Sequence, residues 1–234
     1  MAQLVQKSMA LHGVMFIRFR PPPDRLAMPD VCCDLVWMRE QLILCGPASR
    51  GHRISWPNED VQLLNIDPLV ARAWLGIPLT HLVNQQVPLQ EIRRDLCGPI
   101  AHLFHSGQAA KLVRPSRPSF QLYARASLAA AAIRGGLRLD LAAARVAWSG
   151  RQLERVFADH FGLTPRAYRR ITRMRYAITA AKSGQTLANA ALSAGYADQS
   201  HFTREVHELM GHSPRLVIPN VGNVQDAHAY AREY

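Results

Sequence analysis

Residues 143–165, AARVAWSGRQLERVFADHFGLTP, and residues 191–214, ALSAGYADQSHFTREVHELMGHSP, carry the same design twice. Each stretch starts with small apolar residues, passes a short turn, and continues into a segment whose apolar residues recur every three or four positions. Each then closes on glycine, with proline three residues later. Two short helices joined by a tight turn are the helix-turn-helix layout, whose second helix enters the DNA major groove. The doubled pattern therefore predicts duplex DNA as the partner.

The second helix of each copy separates an apolar stripe from an outward, polar set. Leu153, Val156 and Phe157 share one side in the first copy, and Phe202 and Val206 do so in the second. The outward residues are of types that read base edges, such as arginine for guanine and glutamine for adenine. The predicted base-reading residues are Arg151, Gln152, Glu154 and Arg155 in the first copy, and Gln199, Ser200, His201, Thr203 and Arg204 in the second. Any one of them could instead be an ordinary solvated residue of a helix face.

The segment between the copies predicts one helix from residue 165 to about residue 181, capped by Thr164. Such a helix is roughly 25 Å long at 1.5 Å per residue. The second helix of each copy is the predicted reading helix. When the width of the two reading helices is added to this length, their separation approaches the ~34 Å between successive major grooves on one DNA face. Arginines of this helix could meet phosphates between the grooves, and they are Arg166, Arg169, Arg170, Arg173 and Arg175. Arg173 could equally pair with Asp or Glu inside the protein.

Positive charge is concentrated in the second half of the chain. The 234 residues include 28 Lys and Arg against 17 Asp and Glu, a formal net charge of +11. Residues 116–234 hold 16 of the basic and 8 of the acidic residues, and all but Lys182 of those basic residues are arginine. Arginine binds phosphate and guanine edges bidentately, which suits nucleic acid. A generally arginine-rich proteome would give the same composition.

The first half mixes short β-like runs with proline-rich breaks, which predicts a compact α+β or β-rich domain. Proline at the start and Gly76 past the end predict a short helix over residues 68–75. Alanine-rich helices follow residue 119, and residues 111–119 are the best linker. The fold class is therefore α+β, with residues 1–114 as a regulatory or sensing domain, residues 115–219 as an all-α DNA-binding domain, and residues 220–234 as a tail. The predicted strands are Val14–Arg20, Cys33–Met38, residues 42–45 and Val61–Ile66.

The second half resembles the AraC/XylS transcription regulators. The resemblance rests on GLTPRAY at 162–168, on Arg173 and Ala177, and on Ala191 followed by GYADQSHFTR at 195–204. It covers about residues 120–218 and implies a seven-helix domain with two helix-turn-helix units in adjacent major grooves. It also implies that Arg151, Glu154 and Arg155, with Gln199, Ser200, His201, Thr203 and Arg204, hold the family's base- or backbone-contacting positions. The resemblance further implies a promoter-binding regulator, more commonly an activator, that acts through RNA polymerase.

Several positions depart from the family pattern. Ala147 replaces the usual turn glycine of the first unit, Val206 and His207 stand where Phe and Lys are usual, and residues 217–218 replace an aromatic–Arg pair. We therefore expect the first unit to be the firmer anchor on DNA. The first half resembles more weakly a domain that precedes this unit in some members, through residues 29–37, 45–47 and 75–78 with 87–89. That likeness implies a regulatory role but no particular ligand.

The remaining features predict no catalytic residue, metal or cofactor. His102 and His105 have helical spacing but no third ligand, and no phosphate-binding or hydrolase motif occurs. Asp30 and Asp34 could form a carboxylate pair, although solvation or a local turn explains them as well. The four cysteines are Cys32, Cys33, Cys45 and Cys97. They are expected to be reduced and buried, and a thiol sensor is the alternative.

The expected partners follow from these features. They are double-stranded promoter DNA, RNA polymerase, a small-molecule effector in the first domain and a second copy of the chain. The sequence has no apolar run of ~20 residues, so no membrane contact and a cytoplasmic location are expected. One alternative is a DNA-repair regulator that accepts alkyl groups, which requires a zinc site of four clustered cysteines. The other is an architectural protein that binds nucleic acid without sequence preference.

Overall fold

The computed structural model describes residues 3–10, 13–21, 24–56, 59–106 and 120–220. Strands dominate the part before residue 107, and the regular elements described between residues 120 and 220 are all helices. The predicted α+β class, with a β-rich part followed by an all-α part, is confirmed. The predicted linker at 111–119 and most of the predicted tail lie outside the described residues, and the domain boundaries at 114 and 219 stay predictions.

The β-rich part contains two antiparallel sheets. The strands are β1 (Gln3–Ala10), β2 (Val14–Arg20), β3 (Asp24–Ala27), β4 (Cys33–Met38), β5 (Gln41–Cys45), β6 (His52–Ser55), β7 (Val61–Ile66) and β8 (Gln86–Pro88). Six of them form one sheet in the order β1-β2-β7-β4-β5-β8, and β3 pairs with β6 in a small second sheet. The bounds of β2, β4 and β7 agree with the sequence prediction, and β5 begins one residue earlier than predicted.

The two faces of the large sheet have different neighbours because successive residues of a strand point to opposite sides. On one face, Leu35, Leu44 and Leu64 are buried beneath two helices, α1 (Pro68–Leu75) and α2 (Leu89–Ser106). The opposite face carries a second apolar cluster that includes Val36 and Leu63. Phe19 of this cluster packs edge-on against Trp56, which follows β6, at 5.8 Å between ring centroids. The second face is therefore turned toward the small sheet.

Seven helices follow in the described stretch 120–220, as the resemblance implies. They are α3 (Phe120–Arg134), α4 (Leu139–Arg145), α5 (Gly150–Phe161), α6 (Pro165–Lys182), α7 (Leu187–Ser193), α8 (Gln199–Met210) and α9 (Pro214–Asn220). Side chains of Ser149, Thr164, Thr186 and Asp198 accept backbone N–H groups at the starts of α5, α6, α7 and α8. These caps satisfy amides that a helix start otherwise leaves unpaired. Thr164 is the cap that the sequence predicts.

The internal repeat reaches further back than the sequence motif. Arg125 on α3 lies 5.2 Å from the centroid of the Trp148 ring, and Arg173 on α6 lies 4.0 Å from that of Tyr196. The two arginines are 48 residues apart, and so are the two rings. The unit that is repeated is therefore three helices, α3–α5 and α6–α8, with an arginine of the first helix held over the aromatic residue of the turn.

The turns of the two units have left-handed residues at equivalent places. Ala147 has φ 50° and Gly195 has φ 80°. A residue with a Cβ pays roughly 1–2 kcal/mol for this conformation, and glycine does not. Arg125 donates a 2.7 Å hydrogen bond to the carbonyl of Ala147 and also bonds that of Val146, so this strained turn is braced by α3.

We expect Ala147→Gly to raise the free energy of unfolding by about 1 kcal/mol, because it removes the left-handed strain at an exposed turn. Urea unfolding followed by far-UV circular dichroism measures the change. Gly195→Ala is the matched control and should lower stability by a similar amount, since a Cβ there meets no atom within 4 Å. A loss of stability in Ala147→Gly would contradict this account.

Candidate DNA interface

Helix α5 exposes the predicted base-reading residues of the first unit. Arg151, Gln152, Glu154 and Arg155 are exposed, whereas Leu153 on the opposite side is buried. Within the described residues, Arg151, Glu154 and Arg155 form no ion pair. The capping box at the start of the helix engages Gln152, whose side-chain oxygen accepts the N–H of Ser149 at 2.8 Å. The side-chain NH₂ group of Gln152 remains a donor toward solvent.

Helix α8 presents the second set less uniformly. Gln199, Ser200 and Arg204 are exposed, but His201 and Thr203 are half-buried. The His201 ring stands edge-on against Tyr196, with 5.2 Å between ring centroids, so this side chain also packs against the turn. The exposed start of α8 therefore consists of two neutral residues and one arginine, whereas α5 exposes two arginines, one glutamine and one glutamate. The expectation that the first unit is the firmer anchor stays a prediction.

The arginines of α6 divide into two groups. Arg166 is exposed and Arg169 is half-buried, and neither forms an ion pair in the described part of the chain. Arg170 and Arg173 instead bind Glu205 of α8, at 3.0 Å and 2.8 Å between nitrogen and oxygen. The internal pairing considered for Arg173 is thus present. Arg175 donates to the carbonyl of Pro29 in the β-rich part, at 3.2 Å. Contacts of these residues with DNA phosphates remain a prediction.

Glu205 is the centre of a buried polar cluster that joins α6, α8 and the turn of the second unit. Its side chain is 7% exposed, and besides both arginines it accepts the Tyr196 hydroxyl at 2.7 Å. Burial by itself would raise the pKa of Glu205, but hydrogen bonds from Arg173 and Tyr196 outweigh it and hold that pKa below its ordinary value. The sequence prediction missed this residue. A signal was present, because Glu205 lies within the apolar stripe of α8.

The β-rich part contacts the C-terminal ends of both reading helices. Arg72 of α1 pairs with Asp159 near the end of α5, at 3.1 Å. The N–H of Gly51 donates to the carbonyl of Leu209 near the end of α8, at 2.7 Å. Because both helices are held at the ends opposite to their reading residues, these contacts leave the predicted DNA-facing ends exposed.

The histidine and cysteine candidates do not assemble into a site. In the ranges that the structure describes, no three His, Cys, Asp or Glu residues come together as metal ligands. His105 Nδ1 lies 2.8 Å from the carbonyl of Ala101. The four cysteines are free thiols, and burial raises the pKa of Cys45 to about 12 and that of Cys33 well above its ordinary value. A protonated, buried thiol is a poor nucleophile and a poor redox sensor. The expected burial is confirmed for Cys32 and Cys33, whereas Cys45 and Cys97 are half-buried. None of the described helices combines the length and apolarity that crossing a membrane requires.

Residues 142–217 match the family model described as a helix-turn-helix domain. This match shows that residues 142–217 form a helix-turn-helix DNA-binding domain, and α5 and α8 are the second helices of its two units. The domain is of the AraC type, which confirms the resemblance drawn from the sequence. No curated protein is similar to the chain in sequence.

Three solved structures are similar to parts or most of the chain. A probable AraC family transcriptional regulator from Rhodopseudomonas palustris CGA009 is 20% identical over 41% of this chain and 95% of its own, with a TM-score of 0.36. An AraC-type regulator from Chromobacterium violaceum is 27% identical over 42% of this chain and 89% of its own, with a TM-score of 0.38. ToxT from Vibrio cholerae is 12% identical over 90% of this chain and 99% of its own, with a TM-score of 0.49.

Proposed function

We propose that the protein is a sequence-specific regulator that places α5 and α8 in two successive major grooves of promoter DNA. The observation that carries this proposal is the exposed polar start of each reading helix on either side of α6. The 18 residues of α6 give a length of roughly 27 Å, close to the ~34 Å groove repeat once the reading helices are added. Activation through RNA polymerase, a homodimer, a cytoplasmic location and a small-molecule effector in the β-rich part belong to the same proposal.

Two-groove reading predicts separate effects for the two units. We expect Arg155→Ala and Arg204→Ala each to cost about 1–3 kcal/mol of binding free energy and to relax base preference at different positions, about one helical turn apart. Selection of binding sites from randomised duplexes, repeated with each variant, measures both effects. Arg94→Ala is the matched control, because Arg94 is an exposed arginine on α2, outside the proposed interface.

Two further outcomes decide the proposal. Arg169→Ala should weaken binding to all sequences equally and reduce the salt dependence, as expected for a phosphate contact. If Arg155→Ala and Arg204→Ala relax the same base positions, or neither relaxes any, the two-groove assignment is wrong. Equal affinity of the wild-type chain for all duplexes would instead support the architectural alternative.

A further inference from the structure

The β-rich part contains a cavity of about 140 Å³ between its two sheets, and this cavity is partly open to the surface. Its wall is largely apolar, with contributions from Phe19, Val36, Leu63, Ile54 and Trp56. An apolar protein cavity of about 150 Å³ is large enough for a benzene ring. Two carboxyl groups, Asp30 and Asp34, also line the cavity, whereas no Lys or Arg does.

Asp34 is the unusual group in this wall. It lies on β4 opposite Asn65 of β7, whose side-chain NH₂ donates a 2.6 Å hydrogen bond to one carboxyl oxygen. No basic side chain of the described residues forms an ion pair with it. Burial, with the nearby charge of Asp30, raises the pKa of Asp34 to about 7. Asp34 is half-buried among apolar side chains and forms no ion pair with a described residue, and carboxyl groups in such surroundings concentrate at functional sites.

Asp30 connects the cavity with the helical part. It is buried and accepts the N–H of Cys32 at 3.3 Å. Burial raises its pKa, and the positive charge of Arg175 on α6 opposes that rise and also acts on Asp34. Arg175 is at the same time hydrogen-bonded to the carbonyl of Pro29. An arginine of the DNA-binding domain thus supplies positive charge to the carboxyl groups of the cavity.

We propose that this cavity binds a small ligand that carries one ammonium or similar cation on an apolar body of about the size of a benzene ring. The cation pairs with Asp34 and Asp30, and the apolar body lies against the aromatic and aliphatic wall. A carboxylate ligand would be repelled by the same groups. A sugar-like ligand would leave most of its hydroxyl groups unpaired against this wall.

The ligand cation and Arg175 are alternative counter-charges for the same carboxyl groups. Ligand binding therefore weakens the electrostatic attraction between Arg175 of α6 and the β-rich part, which is one of the interactions that position α6. This consequence rests on the proposed function, because it matters only if α6 sets the spacing of two DNA-reading helices. By linkage, any effect of the ligand on DNA affinity is matched by an equal effect of DNA on ligand affinity.

Isothermal titration of the full chain in the absence of DNA tests the site, with benzylammonium, benzyl alcohol and benzoate as probes. We expect benzylammonium to bind at least tenfold more tightly than benzyl alcohol, and benzoate not to bind. Asp34→Asn should remove this preference. Asp95→Asn is the matched control, because Asp95 is an exposed residue of α2, and this variant should retain the preference. Arg175→Gln should raise the affinity for benzylammonium several-fold.

A pH series tests the same site without any variant. The groups around Asp34 and Asp30 that carry charge or titrate are Arg175, His52, Cys32, Cys33 and Cys45. Because Asp34 must be ionised, the affinity for benzylammonium should fall as the pH is lowered from 8 to 6, whereas that for benzyl alcohol should not. This series decides the matter if Asp34→Asn fails to fold.

Equal binding of the three probes, or an affinity for benzylammonium that is independent of pH, would overturn the proposal. If Arg175→Gln leaves the affinity for benzylammonium unchanged, the proposed competition between the ligand cation and Arg175 is wrong. Fluorescence anisotropy with a selected DNA site then shows whether benzylammonium changes DNA affinity at least twofold. The titrations contain no DNA, so a failure of the proposed function leaves their outcome intact.

Discussion

Replacing Glu205 by alanine should lower the free energy of unfolding of the helical part by about 3–5 kcal/mol, the range for breaking a buried ion pair. Glu205 is the common partner of Arg170, Arg173 and Tyr196. The Arg173 side chain is only 18% exposed. Without Glu205 its guanidinium remains a buried charge with no carboxylate as a partner. The loss is largest at the second unit, where Glu205 holds α6, α8 and the turn together. Urea unfolding followed by far-UV circular dichroism measures it.

Glu208→Ala is the matched control on the same helix. Glu208 also binds Arg170, but its side chain is 66% exposed, and exposed pairs contribute roughly 0–1 kcal/mol. Acid should act in the same direction as the Glu205 substitution. Because the folded state lowers the pKa of Glu205, its stabilisation is complete above the ordinary glutamate pKa and is lost as the pH falls through the lowered value. Equal losses in the two alanine variants would contradict the role of the buried cluster.

Replacing Gly162 by alanine should cost roughly 2–5 kcal/mol. Gly162 ends α5 with φ 70°, where a Cβ costs about 1–2 kcal/mol. A Cβ there would also lie 2.8 Å from the carbonyl oxygen of Leu79, in the β-rich part. Backbone shifts of this kind add about 1–3 kcal/mol. The substitution therefore acts on the contact between the first reading unit and the β-rich part as well as on the helix end.

Gly211→Ala separates the two contributions. Gly211 ends α8 with the same φ of 70°, and a Cβ there meets no atom within 4 Å. It should cost only the backbone strain, about 1–2 kcal/mol. Unfolding in urea compares the two variants. If Gly162→Ala is no less stable than Gly211→Ala, the backbone at Leu79 moves away from the added Cβ without a cost in folding free energy.

Local signals in the sequence were sufficient for most of the helical part. The side-chain cap Thr164 lies beside the helix start that it predicts, and α6 begins at Pro165 as expected. The outward reading residues could be listed because periodicity assigns helix faces without knowledge of the neighbours. Strand β4 was predicted equally well, since its alternation is a local pattern.

Elements that depend on distant contacts escaped prediction. Helix α2 contains Gly98 and Pro99, which act as helix breakers in a local reading, yet it forms because Leu96, Ile100 and Leu103 are buried on the large sheet. The short strands β3 and β6 exist through their pairing with each other, and the paired residues are 25 to 31 positions apart in the chain. Propensity is a weak signal when tertiary burial outweighs it.

The sequence by itself determined the doubled unit, its caps, its outward helix faces and its helix-turn-helix class, because each of these depends on residues within one or two helical turns. Only the tertiary structure decided how the arginines of α6 are used. Arg170 and Arg173 look like Arg166 and Arg169 in the sequence, but they meet Glu205, about 32–35 residues further on, and Arg175 meets Pro29 in the β-rich part. The physical reason is that the partner of a charge is set by which surfaces pack together, and no local pattern contains that information.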